Sequence, residues 1–214
     1  MYRPGAFVED DHEQLAALIG ASPLASLVVH AEGRLLAAHA PLLTERGDDG
    51  AIIALVGHVA RANPFWSVLG DGDEVLAIFT GPDAYVSPSL YPSKQAHGKV
   101  VPTWNYARVE ARGRVTVESD PARVRPYFQH LTEALERDQP APWTVDDAPD
   151  AYIQKLQNAL VGLRIEIDDI RGALKMSQNR NAEDFAGVRD GLAASPSLSD
   201  RAVSELMTHN ARLD

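Results

Sequence analysis

Cysteine is absent from the 214 residues. That excludes disulfides, thiolate metal sites and a Cys nucleophile. Long apolar runs are absent too: none reaches membrane-spanning length, and the first 30 residues lack the basic start and apolar block of a signal peptide. A soluble cytoplasmic protein is therefore expected. Basic charge is scarce. Twenty Lys and Arg stand against 30 Asp and Glu, a net charge of −10, and no basic patch is longer than "VEARGRV" (109–115) or "PARVRP" (121–126). Such a body repels nucleic-acid backbones at long range. The seven His residues form no HxH or HxxxH pair, so nothing proposes a metal. There is no GxSxG, P-loop or GxGxxG motif.

What is present is an ordinary globular composition, 45% apolar and 23% charged. Residues 8–23 read as a helix capped by Asp10 or Asp11, with Leu15, Leu18 and Ile19 as its apolar stripe. Runs 24–30 and 34–40, joined by "AEG", read as a hairpin with Gly33 at positive φ. Further strands are expected at 51–57, 74–80 and 83–88, then one long strand or two over 100–119. The alternation in "RVEARGRVTVE" marks one wet face there. Helices are expected at 120–137 and 149–160, a strand from Leu163, and two helical pieces at 181–194 and 198–213. Short strands with tight links favour an antiparallel barrel over a parallel α/β sheet.

Four stretches carry candidate chemistry. In "GHVARANPFW" (57–66) a strand is expected to turn into a short helix at Gly57–His58. His58 and Arg61 would then share one face near free N–H groups, a phosphate cradle; a surface Arg and a packed His are the plainer reading. "YVSPSLYPSK" (85–94) is either a clamp using Ser87, Ser89, Tyr91 and Lys94 or a rigid turn. "VPTWNY" (101–106) places Trp104 and Tyr106 on one strand face and Asn105 on the other. "ALKMSQNR" (173–180) reads as a solvated strand end.

In order along the chain, "MYRPGAF", "LAAHAPLL", "GHVARANPFW", "AYVSPSLYPSK", "VPTWNY" and "KMSQNR" resemble the PaiB-like family, described as FMN-binding negative transcriptional regulators. The resemblance runs from Met1 to about Met207, with Met176 standing where Leu is expected and Leu90 where Trp is common. It implies an FMN-binding split barrel, mainly β with peripheral helices. The expected form is a six-stranded antiparallel Greek-key barrel, homodimeric, with the flavin at the dimer interface. It assigns residues 1–179 to that domain and 180–214 to a helical extension packed on it. It makes His58 and Arg61 phosphate ligands, with Asn63 closing the turn. Trp104 and Asn105 would line the isoalloxazine; Lys175, Gln178 and Arg180 would reach the site from the last strand; His39 would face the same cavity. DNA is the partner that the regulator description implies, and the charge opposes it. The alternatives are a flavin-dependent oxidoreductase of the pyridoxamine-phosphate-oxidase-like superfamily and a haem-binding split barrel using His39, His58 or His97.

Overall fold

The computed structural model describes residues 1–210; the expected helical stretch 198–213 therefore lies partly outside the described residues. The chain is mainly antiparallel β-sheet with helices. Its elements are β1 (Val8–Glu9), α1 (His12–Ala21), β2 (Leu24–Ala31), β3 (Arg34–Arg46), β4 (Ile52–Ala60), β5 (Glu74–Val86) and α2 (Ser93–His97). They continue as β6 (Thr103–Glu118), α3 (Arg125–Glu136), α4 (Asp150–Ala159), β7 (Leu160–Lys175), α5 (Ala182–Ala193) and α6 (Leu198–Asn210). The strand order is β1-β7-β4-β3-β2-β5-β6, and β6 also pairs with β7.

Local chemistry explains most boundaries. Asp11 accepts from the Gln14 N–H at 2.9 Å and starts α1. Glu32 and Gly33 both take positive φ, 53° and 73°. They make the two-residue turn whose twist suits a hairpin, and Ala31 pairs with Arg34 across it. Asp120 accepts from Ala122 N in a turn, so α3 begins only at Arg125, with Pro126 rather than Pro121 in its first turn. Residues 74–86 form one strand where two were expected: the strand runs on through Gly81 and Pro82. Residues 103–118 likewise form one strand, and its burial alternates as the sequence pattern requires.

By contacts the chain forms two compact units, and β5, β6 and β7 each run from one into the other. The unit made of 11–79 and 110–170 holds the β2–β3–β4 sheet, α1, α3 and α4. Its core includes Leu15, Ile19, Leu27, Leu42, Leu55, Leu163 and Ile165, all fully buried. Under α3 and α4, Val124, Phe128, Val145 and Ile153 form an apolar cluster. The other unit, made of 1–10, 80–109 and the residues from Arg171 on, holds β1 paired to the end of β7 (Val8 opposite Ala173), α2, α5 and α6. Here Gly187 and Gly191, one turn apart on α5, leave room for Leu90: an added Cβ would meet the Leu90 carbonyl at 2.4 Å and its side chain at 2.5 Å.

Candidate functional site

At residues 57–66 the expected helix start is absent. β4 continues through Gly57 and His58 to Ala60, because both residues are paired to β7, opposite Leu163 and Gly162. Gly57 is there for space: a Cβ would lie 2.0 Å from the Pro41 carbonyl oxygen. After β4 the chain makes a single 3₁₀ turn, Pro64–Val68, capped by Asn63, whose side chain accepts from Phe65 N at 3.0 Å. So the cradle of free helical N–H groups does not form.

Arg61 has a defined task in this turn. Its Nε donates to Asn158 O at 2.8 Å, and its Nη2 to Ser119 O at 2.8 Å and Leu160 O at 2.9 Å. Its backbone N–H reaches Ala159 O at 2.7 Å. The guanidinium thereby satisfies carbonyls at the end of α4 and the start of β7. Trp66 secures it from the other side, with its indole 5.8 Å from the guanidinium carbon and its Nε1 donating to Arg61 O at 2.7 Å. The His58 imidazole is largely buried, and its Nδ1 has no hydrogen-bond partner among the described residues. Burial pushes the His58 pKa down, favouring the neutral ring. His39 is exposed on β3, its Nδ1 3.2 Å from Ser26 Oγ.

The start of β6 and the end of β7 bring another set together. Alternation puts Trp104 outward, 52% exposed, and Asn105 inward, fully buried. Trp104 meets Tyr85, itself 51% exposed, edge to face with ring centres 6.0 Å apart. Lys175 donates from Nζ to Thr103 Oγ1 at 2.5 Å and to Trp104 O at 2.6 Å. It lies 5.9 Å from the Tyr106 ring centre. Burial, and then the charge of Arg180, lower the Lys175 pKa. Arg108 stands 5.6 Å from the Tyr106 ring and pairs with Asp83 at 3.1 Å. The result is an exposed aromatic ledge bordered by cations.

Asn105 has an internal role. Its Oδ1 accepts from Ser177 Oγ at 3.0 Å, and its Nδ2 points to Met207 Sδ at 3.7 Å. It thus pins the turn after β7, where Ser177 takes φ 60°. Gln178 closes the same turn: Nε2 donates to Leu174 O at 2.5 Å and Oε1 accepts from Met176 N at 2.6 Å. Gln178 and Arg180 line a cleft with Val8, Met176 and Phe185. The loop 85–94 is mostly occupied with its own packing: Tyr91 is buried, Ser87 and Ser89 bond each other at 2.8 Å, and Ser93 bonds Asp184. Tyr85 heads the stretch 85–94 but is not among the candidate ligands read there, and Arg108 is not marked by the sequence at all. Tyr85 was legible only as an alternate residue in a strand, and nothing local marked its partner ring.

A family model described as "Putative FMN-binding domain" matches residues 1–169. The Bacillus subtilis protein named "Protease synthase and sporulation protein PAI 2" is 32% identical over 213 residues, covering 97% of this chain and 96% of that one. An uncharacterised protein of Emericella nidulans is 32% identical over 225 residues, covering 89% and 90%. Among solved structures, the flavocytochrome Anf3 of Azotobacter vinelandii matches with a TM-score of 0.59 at 16% identity, over 87% of this chain and 78% of that one. The FAD and heme binding protein of Mycobacterium smegmatis matches with a TM-score of 0.59 at 20% identity, over 84% and 78%. At these identities the likeness is one of fold.

Proposed function

The chain belongs to the family described as "Putative FMN-binding domain", and on that premise we propose that it is a homodimeric split-barrel protein that stacks FMN on the Trp104–Tyr85 ledge. Lys175 is the adjacent cation. The observation that carries this reading is the contact of Lys175 Nζ with the Trp104 carbonyl, which fixes a cation beside two half-exposed rings. The strand order, with β6 pairing β7 as well as β5, supports the split-barrel part of the reading.

The ledge fits a planar, anionic cofactor. Its rings offer apolar surface, and an ammonium has three donors, of which two are taken up here. The turn 57–64 fits a phosphate less well. Three of the five Arg61 donors already serve carbonyls, and His58 is held neutral by burial. When bound, FMN supplies redox chemistry that no side chain has, while the protein binds and orients it. Trp104 and Tyr85 contribute ring surface. Lys175 contributes positive charge against the flavin's electron-rich edge or phosphate.

The test is a fluorescence titration with FMN and, in parallel, riboflavin. Stacking on one aromatic is worth about 1 kcal/mol, so Trp104→Ala weakens FMN roughly fivefold. Lys175→Met weakens it by a similar factor. If Lys175 meets the phosphate, riboflavin is unaffected by Lys175→Met; if it meets the ring, both ligands lose equally. Unchanged FMN affinity in both variants rules the ledge out. Light scattering at twice the chain mass supports the dimer. A regulatory output, which the family resemblance implies, would on this reading follow ligand binding, since a net charge of −10 opposes close contact with DNA phosphates.

A further inference from the structure

The cleft beside β1 and α5 lies apart from the ledge on the strand that both share. Leu174 and Lys175 are neighbours on extended backbone, so their side chains leave β7 on opposite sides. Leu174 lines the cleft and Lys175 borders the ledge. The cleft encloses about 440 Å³, the size of a small-molecule site. Its wall is mixed, with Ala6, Val8, Leu174, Met176 and Phe185 forming the apolar part.

Arg180 is the cation in this wall, beside the polar Asn210. Its guanidinium lies 4.9 Å over the ring centre of buried Tyr91, which fixes its plane. Its side-chain N–H groups have no hydrogen-bond or ion-pair partner among the described residues. Against burial, hydrogen bonds from Ser93 and Asn181 and then the charge of nearby Arg180 lower the Asp184 pKa, so Asp184 offsets part of the Arg180 charge without pairing with it directly. That carboxylate is already engaged by Ser93 N at 3.0 Å, Ser93 Oγ at 2.7 Å and Asn181 Nδ2 at 3.3 Å. The Gln178 amide is likewise occupied by backbone groups. A partly exposed guanidinium at a cleft wall can exchange water for a ligand, and its fork matches a carboxylate in two parallel hydrogen bonds. Glu9 lines the same cleft, which favours a monoanion over a phosphate dianion.

We propose that this cleft is a second ligand site that takes a small carboxylate bearing an apolar chain, with the carboxylate on Arg180 and the chain against Val8, Met176 and Phe185. It does not depend on the flavin reading. The probe is hexanoate, titrated calorimetrically into the full-length protein, with hexan-1-ol as the uncharged control. Hexanoate binds saturably, R180Q weakens it at least tenfold, and hexan-1-ol does not distinguish R180Q from the parent. Ala182→Phe, at the exposed start of α5 on the cleft wall, blocks hexanoate while leaving the circular dichroism spectrum and FMN titration unchanged. Absence of saturable hexanoate binding overturns the proposal, as does affinity equal to the parent's in both R180Q and Ala182→Phe. Mutual competition between hexanoate and FMN also overturns it, because the cleft would then be part of the flavin's own site.

Discussion

Single residues in this chain often act through what they exclude. Gly57 sits where a Cβ would overlap the Pro41 carbonyl, and backbone cannot yield as a flexible side chain can. Gly57→Ala is expected to cost about 3 kcal/mol, read as a lower urea midpoint with an unchanged slope. His58 illustrates a different constraint. Its ring is buried without a partner for Nδ1, and its pKa is lowered by that burial. The unfolded chain therefore takes up the proton first as pH falls. The stability due to the neutral ring is complete above the ordinary value of about 6.5 and is lost as pH drops from there toward the folded pKa. Urea midpoints between pH 7.5 and 5.5 should fall more steeply for the parent protein than for His58→Leu. Equal slopes would show that His58 does not titrate on unfolding.

At the scale of elements, side chains that looked like ligands turn out to join segments. Arg61 ties residues 57–64 to the α4–β7 junction through two carbonyls and to the end of β6 through the Ser119 carbonyl. Hydrogen bonds from a charged donor are worth about 1.5–3 kcal/mol each in good geometry. Arg61 is partly exposed, so Arg61→Ala should cost about 2–3 kcal/mol in total and lower Tm by several degrees. FMN affinity of the folded variant, compared with riboflavin, separates this joining role from a phosphate contact: loss confined to FMN would restore the phosphate assignment. Asn181 caps α5 by accepting from Asp184 N at 2.8 Å. Asn181→Ala should cost about 1 kcal/mol, measurable as a small Tm decrease. It would also loosen the Asp184 side chain, since Asn181 and Ser93 both donate to it. Hydrogen exchange at the start of α5 would show that loosening directly.

For the molecule as a whole, charge and size set the terms. Among the described residues no helix is long and apolar enough to cross a membrane, and no His, Asp and Glu cluster could hold a metal ion. The net charge of −10 predicts weak, sequence-independent attraction to DNA. A titration between 50 and 200 mM salt should show either no binding or a shallow salt slope, because few phosphates would be neutralised. A slope of six or more counterions would show a concentrated basic surface and reverse that expectation. Such binding would also reopen a direct regulatory contact as the molecule's output.

Much of this protein was legible in its residues. Alternation in 108–118 and the hairpin turn with Gly33 at positive φ come from local rules, because each depends on residues adjacent in the chain. The six ordered motifs were enough to name the family and its cofactor. What the sequence could not supply was the partner of each polar side chain. The length of β4 depends on pairing with β7, about a hundred residues away, so Gly57–His58 reads locally as a helix start although it is strand. Arg61, Asn105 and Gln178 are polar residues in family motifs, and only the fold directs them to carbonyls, a buried Ser and a backbone turn. The same fold left Arg180 with open donors at a cleft and Lys175 beside an exposed ring. Hydrogen-bond satisfaction belongs to three-dimensional neighbours, and so tertiary structure decided how many donors each cation has committed to the chain itself.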